Sequence, residues 1–209
     1  MKPARRIALM GGTFNPVHLG HLFAAERVRE IEKLDRVILV PSRTPPHRKG
    51  AALAPADDRL AMAKAAVEGN PAFEVSDAEL RRRGPSYTVD TLRHFRDLLP
   101  EQTRLFFVLG FDAALELDTW RDLSGVLDLA ELLVVSRPGI EWNRKVHARW
   151  TNVMRAAGPR GARRIRIVPI ASLPISATEI RERVRHGLSL RYLVPDAVVR
   201  HLVRRKLYR

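Results

Sequence analysis

Two histidines, His18 and His21, follow a glycine pair in the run Gly11-Gly12-Thr13-Phe14-Asn15-Pro16-Val17-His18-Leu19-Gly20-His21-Leu22. An apolar stretch at residues 7–10 precedes the run, and apolar side chains recur at three- and four-residue spacing through residues 19–31. The pattern reads as a strand, a glycine-rich turn and the start of a helix. Glycines let backbone approach a ligand closely, and a helix N-terminus offers unpaired N–H groups and positive partial charge. Together they predict an anion site, in the first instance for a nucleotide phosphate. At a spacing of three, both imidazoles face the same way on a helix. There they can donate to non-bridging phosphate oxygens and stabilise charge that builds up as a phosphoryl group is attacked. A metal site and a chance surface pair are the competing readings. No acidic residue or third histidine stands within the run, and a metal site would leave its glycines unexplained.

A second stretch, Pro174-Ile175-Ser176-Ala177-Thr178-Glu179-Ile180-Arg181, places Glu179 three residues after Ser176. That is a capping box, so a helix is expected to begin at Ala177, and Gly187 is its natural stop. The hydroxyls of Ser176 and Thr178 and the Arg181 guanidinium then gather at a helix N-terminus, where a planar fork can hold phosphate oxygens. Taken alone, the stretch reads equally as an ordinary capped helix with a solvent-facing arginine.

The elements that must carry these residues are legible as alternating segments. Apolar runs of strand length occur at residues 7–10, 37–40, 73–75, 105–109, 132–135 and 165–170. Helical spacing recurs at residues 19–31, at 59–67 with Asp57 or Asp58 as the expected cap, and at 89–99 before Pro100. This alternation predicts an α/β fold of Rossmann-like type: a parallel sheet with helices on both faces and a small helical portion over about residues 171–209, all in one domain spanning 1–209. The stretch 41–55, with four prolines and Gly50, and the Gly/Ala/Arg-rich stretch 156–164 are expected to be loops, the latter mobile.

The chain has 209 residues, 45% of them hydrophobic and 29% charged, the balance of a globular protein with a sizeable core. It has no cysteine, which excludes disulfides, thiol catalysis and cysteine metal sites. No apolar run reaches the roughly 20 residues a membrane helix needs, and the basic start lacks a signal-peptide core, so a cytoplasmic location is expected. Net charge is +14, and all of the excess falls in residues 137–209, which hold 18 Lys+Arg against 4 Asp+Glu, whereas residues 1–136 hold 19 of each. That asymmetry points to an anionic partner or to an arginine-rich solvated surface. The scarcity of aromatic residues among these arginines argues against a single-strand nucleic-acid platform.

Gly12-Thr13-Phe14-Asn15-Pro16 with His18-Leu19-Gly20-His21 resembles the signature of the HxGH nucleotidyltransferase superfamily, and Ile175-Ser176-Ala177-Thr178-Glu179-Ile180-Arg181 resembles the ISxTxxR signature of the same enzymes. Pro45-Pro46-His47-Arg48-Lys49, Gly84-Pro85-Ser86-Tyr87-Thr88-Val89-Asp90-Thr91-Leu92, Gly110-Phe111-Asp112 with Leu117 and Trp120, Ser136-Arg137-Pro138-Gly139 and Tyr192-Leu193-Val194-Pro195-Asp196 are similar to segments of the bacterial nicotinate-mononucleotide adenylyltransferases. The resemblance runs in order along nearly the whole chain. It implies transfer of AMP from ATP to nicotinate mononucleotide, with release of pyrophosphate, in NAD biosynthesis. Under it, His18 and His21 stabilise the transition state. Gly11, Gly12, Thr13, Phe14, Gly110, Asp112, Arg137, Ile175, Ser176, Thr178 and Arg181 join them around ATP. Asn15, His47, Arg48, Ser86, Tyr87, Thr88 and Trp120 serve the acceptor, with the indole stacked on the pyridine ring. Mg2+ would accompany ATP as cofactor, with no metal site built from side chains alone. The implied partners are ATP and nicotinate mononucleotide, with no membrane, and a homo-oligomer is compatible with the sequence. A related transferase with another phosphorylated acceptor shares both phosphate motifs, and a basic nucleic-acid-binding protein is the rival from outside enzymology. Two positions depart from the resembled pattern: Asn15 stands where an Asp is usual, and Phe111 where a small residue is usual.

Overall fold

Val37-Ile38-Leu39-Val40 has no polar side chain to turn toward water, so a strand built from it must be covered on both faces. The computed structural model, which describes residues 5–43, 53–136, 142–171 and 173–209, places it in the interior of a six-stranded sheet. The strands are β1 (Arg6–Gly12), β2 (Arg36–Pro41), β3 (Phe73–Val75), β4 (Arg104–Gly110), β5 (Glu131–Ser136) and β6 (Ile165–Pro169), all parallel, in the order β3-β2-β1-β4-β5-β6. Leu9 lies opposite Ile38 on one side and Phe107 on the other.

Alternate residues of each strand feed two separate cores. Leu9, Ile38, Phe107 and Leu132 pack under α4 (Thr88–Leu98), α6 (Leu123–Leu129) and α7 (Arg144–Ala162). Ala8, Leu39, Phe106 and Leu133 pack under α1 (Leu19–Ile31), α2 (Ala56–Val67), α8 (Ala177–Arg185) and α9 (Asp196–Arg204). The expected Rossmann-like sheet with helices on both faces is therefore what forms. Its strand order reverses between β1 and β4, and in such sheets the crevice outside the carboxyl ends at the reversal is where ligands bind. Gly11 and Gly12 end β1 there, and Gly110 ends β4.

Two local expectations are corrected, and some short elements were not foreseen. Residues 156–164 are not a loop: α7 continues through Ala162. Gly158, at φ +67°, interrupts the helix, and Pro159 restarts it in the position where a missing N–H costs nothing. The small residues serve close packing, since a Cβ on Gly161 would stand 2.7 Å from Leu127 Cδ1. Next, α2 starts at Ala56 with Pro55 as its N-cap residue and no side-chain cap, so neither Asp57 nor Asp58 caps it. Asp58 turns inward instead, for a reason given below. Finally, the short helices α3 (Ala78–Arg81) and α5 (Phe111–Ala114) and a 3-10 turn at Leu117–Thr119 were not expected, being too brief to show any periodicity.

Phe106 is fully buried at the sheet centre, and the Arg6 and Arg104 guanidinium carbons stand 4.8 and 5.5 Å from its ring centroid. Phe106→Ala removes this packing and leaves a cavity; it should destabilise the fold by about 3–5 kcal/mol and lower the melting temperature by roughly 10 °C, as read by thermal denaturation.

Candidate functional site

The loop from β1 to α1 brings both histidines to the crevice. His18 is the N-cap residue of α1, with extended backbone at φ −146° and ψ 169°, and it is buried. His21 Nδ1 accepts the His18 amide at 3.3 Å, which puts the proton of a neutral His21 on Nε2. The two rings lie 3.7 Å apart between centroids, tilted by 32°, and Phe14 stands edge-on to His21 at 5.2 Å. Gly20 makes this possible: a Cβ there would sit 3.0 Å from His18 Nδ1 and 3.6 Å from the Ile175 carbonyl. Gly12 does the same for Phe14, whose ring would be met at 3.0 Å.

Four other parts of the chain hold this loop. Arg59, buried in α2, donates Nη1 to the carbonyls of Thr13 (2.8 Å) and Ser42 (2.7 Å) and Nε to that of Ala54 (3.1 Å). Burial lowers its pKa from the ordinary arginine value, yet an arginine stays charged at neutral pH. Arg181 in α8 donates Nη1 to the Asn15 carbonyl at 2.9 Å and Nη2 to Thr178 Oγ1 at 3.0 Å. Ser176 Oγ accepts the Glu179 amide at 3.1 Å, the half of the expected capping box that starts α8. Leu193 gives its carbonyl to the Leu19 amide at 2.9 Å, satisfying an N–H at the start of α1. Asn15 is buried, and its Oδ1 accepts the Ala54 amide at 2.9 Å and the Tyr208 hydroxyl at 2.6 Å. Both contacts need only an acceptor oxygen, which explains how Asn serves where the resembled pattern has Asp.

On the other side of β1, Ser86 Oγ accepts the Arg43 amide at 3.1 Å, tying the segment before α4 to the end of β2. Tyr87 is the N-cap residue of α4, its ring lies 4.8 Å from the Arg121 guanidinium carbon, and Thr88 is the first helical residue. Thr91 Oγ1 donates to Glu79 Oε1 at 2.6 Å and accepts from Arg82 Nη2 at 3.1 Å. Burial pushes the Glu79 carboxyl up, opposed by the Thr91 and Ser86 hydroxyls and the Arg82 charge. Trp120 is half-buried, edge-on to Phe107 at 6.0 Å. Phe111 is buried against Trp150 (5.8 Å, stacked) and Trp142 (5.4 Å, edge-on), so its ring anchors α7 at the rim of the cleft.

A cleft of about 540 Å³ opens between these parts, and Gly11, His18, His21, Gly110, Asp112, Ile175 and Ser176 line it. These are residues assigned to ATP from sequence, gathered from three separate segments. Gly12, Thr13, Phe14, Thr178 and Arg181, also assigned to ATP, are not among the lining residues, and neither is Asn15. Ser86, Tyr87, Thr88 and Trp120 do not line this cleft; they lie around the start of α4 and the turn after β4. His47, Arg48 and Arg137 lie outside the described residues. A larger cavity of about 990 Å³, lined by Leu188, Tyr192 and Val203 among others, contains none of the assigned residues. Sequence reasoning did not single out Arg59, Glu79 or Tyr208. A charged residue at an inward helical position was the one signal available for Arg59.

The cytidylyltransferase-like family model matches residues 9–183. A protein of Desulfitobacterium hafniense (strain Y51) is 41% identical over 207 residues, 99% of this chain and 97% of its own length. One of Chromohalobacter salexigens is 42% identical over 218 residues, 99% of this chain and 97% of its own. Each bears the name "Probable nicotinate-nucleotide adenylyltransferase". Among solved structures, Plasmodium falciparum nicotinic acid mononucleotide adenylyltransferase complexed with NaAD shares the fold, at a TM-score of 0.74 and 16% identity over 98% of this chain and 97% of that one. The same enzyme complexed with APC gives 0.72 at 15% identity, with 98% and 97% covered.

Asp58, one of the two expected helix caps, is instead the anchor for α9. Its Oδ1 lies 2.9 Å from both Arg205 Nε and His201 Nε2. The hydrogen bond from Arg205, together with His201, holds its carboxyl below the ordinary value although burial works against this. A depressed acid stabilises the fold above the unfolded-state pKa and loses that contribution as pH falls through the folded value. Asp58→Asn should therefore cost on the order of 1–3 kcal/mol near neutral pH, and the gap should close below about pH 4, as read from urea midpoints across a pH series.

Proposed function

We propose, since this chain belongs to the cytidylyltransferase-like family and within it to the nicotinate-nucleotide adenylyltransferases, that it transfers AMP from ATP to nicotinate mononucleotide, giving nicotinate adenine dinucleotide and pyrophosphate. The observation that carries this reading is the cleft that joins the His18–His21 pair at the start of α1 to Ser176 at the start of α8. Two helix N-termini and two imidazoles facing one crevice suit a polyphosphate far better than a neutral ligand.

The chemistry follows from the acceptor. A phosphate monoester is already anionic at neutral pH, so its oxygen attacks the α-phosphorus without a general base. The new bond forms between that oxygen and the α-phosphorus, and the bond to the bridging oxygen of pyrophosphate breaks in line with it. The protein's contribution is alignment and charge stabilisation. His18 and His21 face the reacting phosphate, while the α8 N-terminus with Ser176, Thr178 and Arg181 holds the departing end. The acceptor's base would lie toward Ser86, Tyr87, Thr88 and Trp120, whose indole face suits a flat heteroaromatic ring. Mg2+ bound together with ATP would neutralise phosphate charge. Asp112 is the one carboxylate among the described residues lining the cleft, and no group of three His, Cys, Asp or Glu side chains stands together among the described residues. Such a donor set fits an ion held mainly by phosphate oxygens and water. No helix among the described residues is long and apolar enough to cross a membrane.

Pyrophosphate release should be seen with ATP and nicotinate mononucleotide; absence of release with both that acceptor and its amide counterpart would overturn the proposal. His18→Ala should lower turnover on the order of 100-fold while ATP affinity changes by only a few-fold, as separated by steady-state rates and equilibrium nucleotide titration. Trp120→Ala should raise the acceptor KM more than the ATP KM, and equal changes in the two would remove the indole from the acceptor site.

A further inference from the structure

Asn15 lies three residues before His18, and three donors from distant parts of the chain grip it. Its carbonyl takes Arg181 Nη1 at 2.9 Å, and its Oδ1 takes the Ala54 amide at 2.9 Å and the Tyr208 hydroxyl at 2.6 Å. The last reaches across 193 residues of sequence. The segment carrying Tyr208 is itself fixed. Arg205 and His201 meet Asp58, the Leu207 amide donates to the Leu202 carbonyl at 3.1 Å, and Leu207 and Tyr208 pack against the core beneath α9. Lys206 and Tyr208 take φ values of +50° and +64°, a backbone that side chains other than glycine rarely adopt. Packing and the Asp58 contacts over-determine this turn, and its result is a phenol aimed at the loop that carries the histidines.

We propose that Tyr208 is a positioning residue for adenylyl transfer: its hydroxyl, through Asn15, fixes the loop that sets where His18 meets the reacting phosphate. The inference rests on the function proposed above. A phenyl ring would fill the same space, so what the hydroxyl adds is direction rather than packing. Burial pushes the phenol above its ordinary pKa, which keeps the hydroxyl a donor at neutral pH. A displacement of the histidine loop by a fraction of an ångström is enough to matter, because in-line transfer depends on alignment.

The test is Tyr208→Phe in the full chain. The turnover number should fall about tenfold while the ATP KM stays within about threefold of its starting value. Asn15→Ala, which also gives up the Ala54 contact, should fall at least as far, and the double variant should fall no further than Asn15→Ala, because no Tyr208–Asn15 contact is left to lose. Turnover within about twofold of the unsubstituted protein, or losses that multiply in the double variant, would overturn the proposal, even if the melting temperature drops. If the unsubstituted protein releases no pyrophosphate, the functional reading fails by itself. The positioning role is then decided by amide hydrogen exchange over residues 12–18, which should quicken about tenfold in Tyr208→Phe if the loop is released; unchanged exchange there would sink it.

Discussion

A single buried guanidinium ties the loop that carries the histidines to the neighbouring strand and helix. Arg59 gives hydrogen bonds to the carbonyls of Thr13, Ser42 and Ala54, so the end of β1, the end of β2 and the approach to α2 share one cation. Burying a charge is costly unless its hydrogen-bonding capacity is met, and here peptide carbonyls meet it in place of a carboxylate. The arrangement adds no carboxylate of its own beside the histidine loop. It also fixes the loop ends against which the remaining tethers, from α8 and from the segment after α9, can act. The histidines at the start of α1 inherit their placement from this joint rather than from the sheet alone.

Local spacing made much of this molecule readable. Continuous apolar runs marked the buried strands, and the glycine pair before His18 marked the turn at the end of β1. Ser176 marked the start of α8, where its hydroxyl accepts the Glu179 amide. These features depend on neighbours within a few residues, which is the range over which a sequence displays its own physics. What stayed hidden depends on partners far away. Asp58 looked like a cap because it stands at a helix start; its actual partners, His201 and Arg205, lie 143 and 147 residues on. The stretch 156–164 looked like a loop because glycine and proline are helix breakers in isolation. In the fold they form one kink, and the following glycine lets α7 close on Leu127. Arg59 and Tyr208 carry no motif, and only the assembled loops give them partners.

Asn15 shows how a departure from a pattern can be neutral in one respect. A carboxamide and a carboxylate offer the same acceptor oxygen, and Oδ1 serves both the Ala54 amide and the Tyr208 hydroxyl. The difference between them is charge, and the Asn15 carbonyl already stands against the Arg181 guanidinium. An amide at this position leaves the positive field of Arg181 and Arg59 undiminished toward the cleft. Phe111 is a departure of another kind, since its ring adds apolar contact with Trp142 and Trp150 and so stiffens the junction between β4 and α7.

The bond between Tyr208 and Asn15 closes a circuit of nearly the whole chain. The entropy lost in closing a loop grows with its length, so a contact of such separation is among the more costly for the chain to close. The sheet and its helices could therefore be in place before the tail docks. Such a chain would count as folded by circular dichroism while its histidine loop was still searching. For this protein, native secondary structure by itself is no measure of a completed histidine loop. The loop is complete only with the short turn after α9 in its seat.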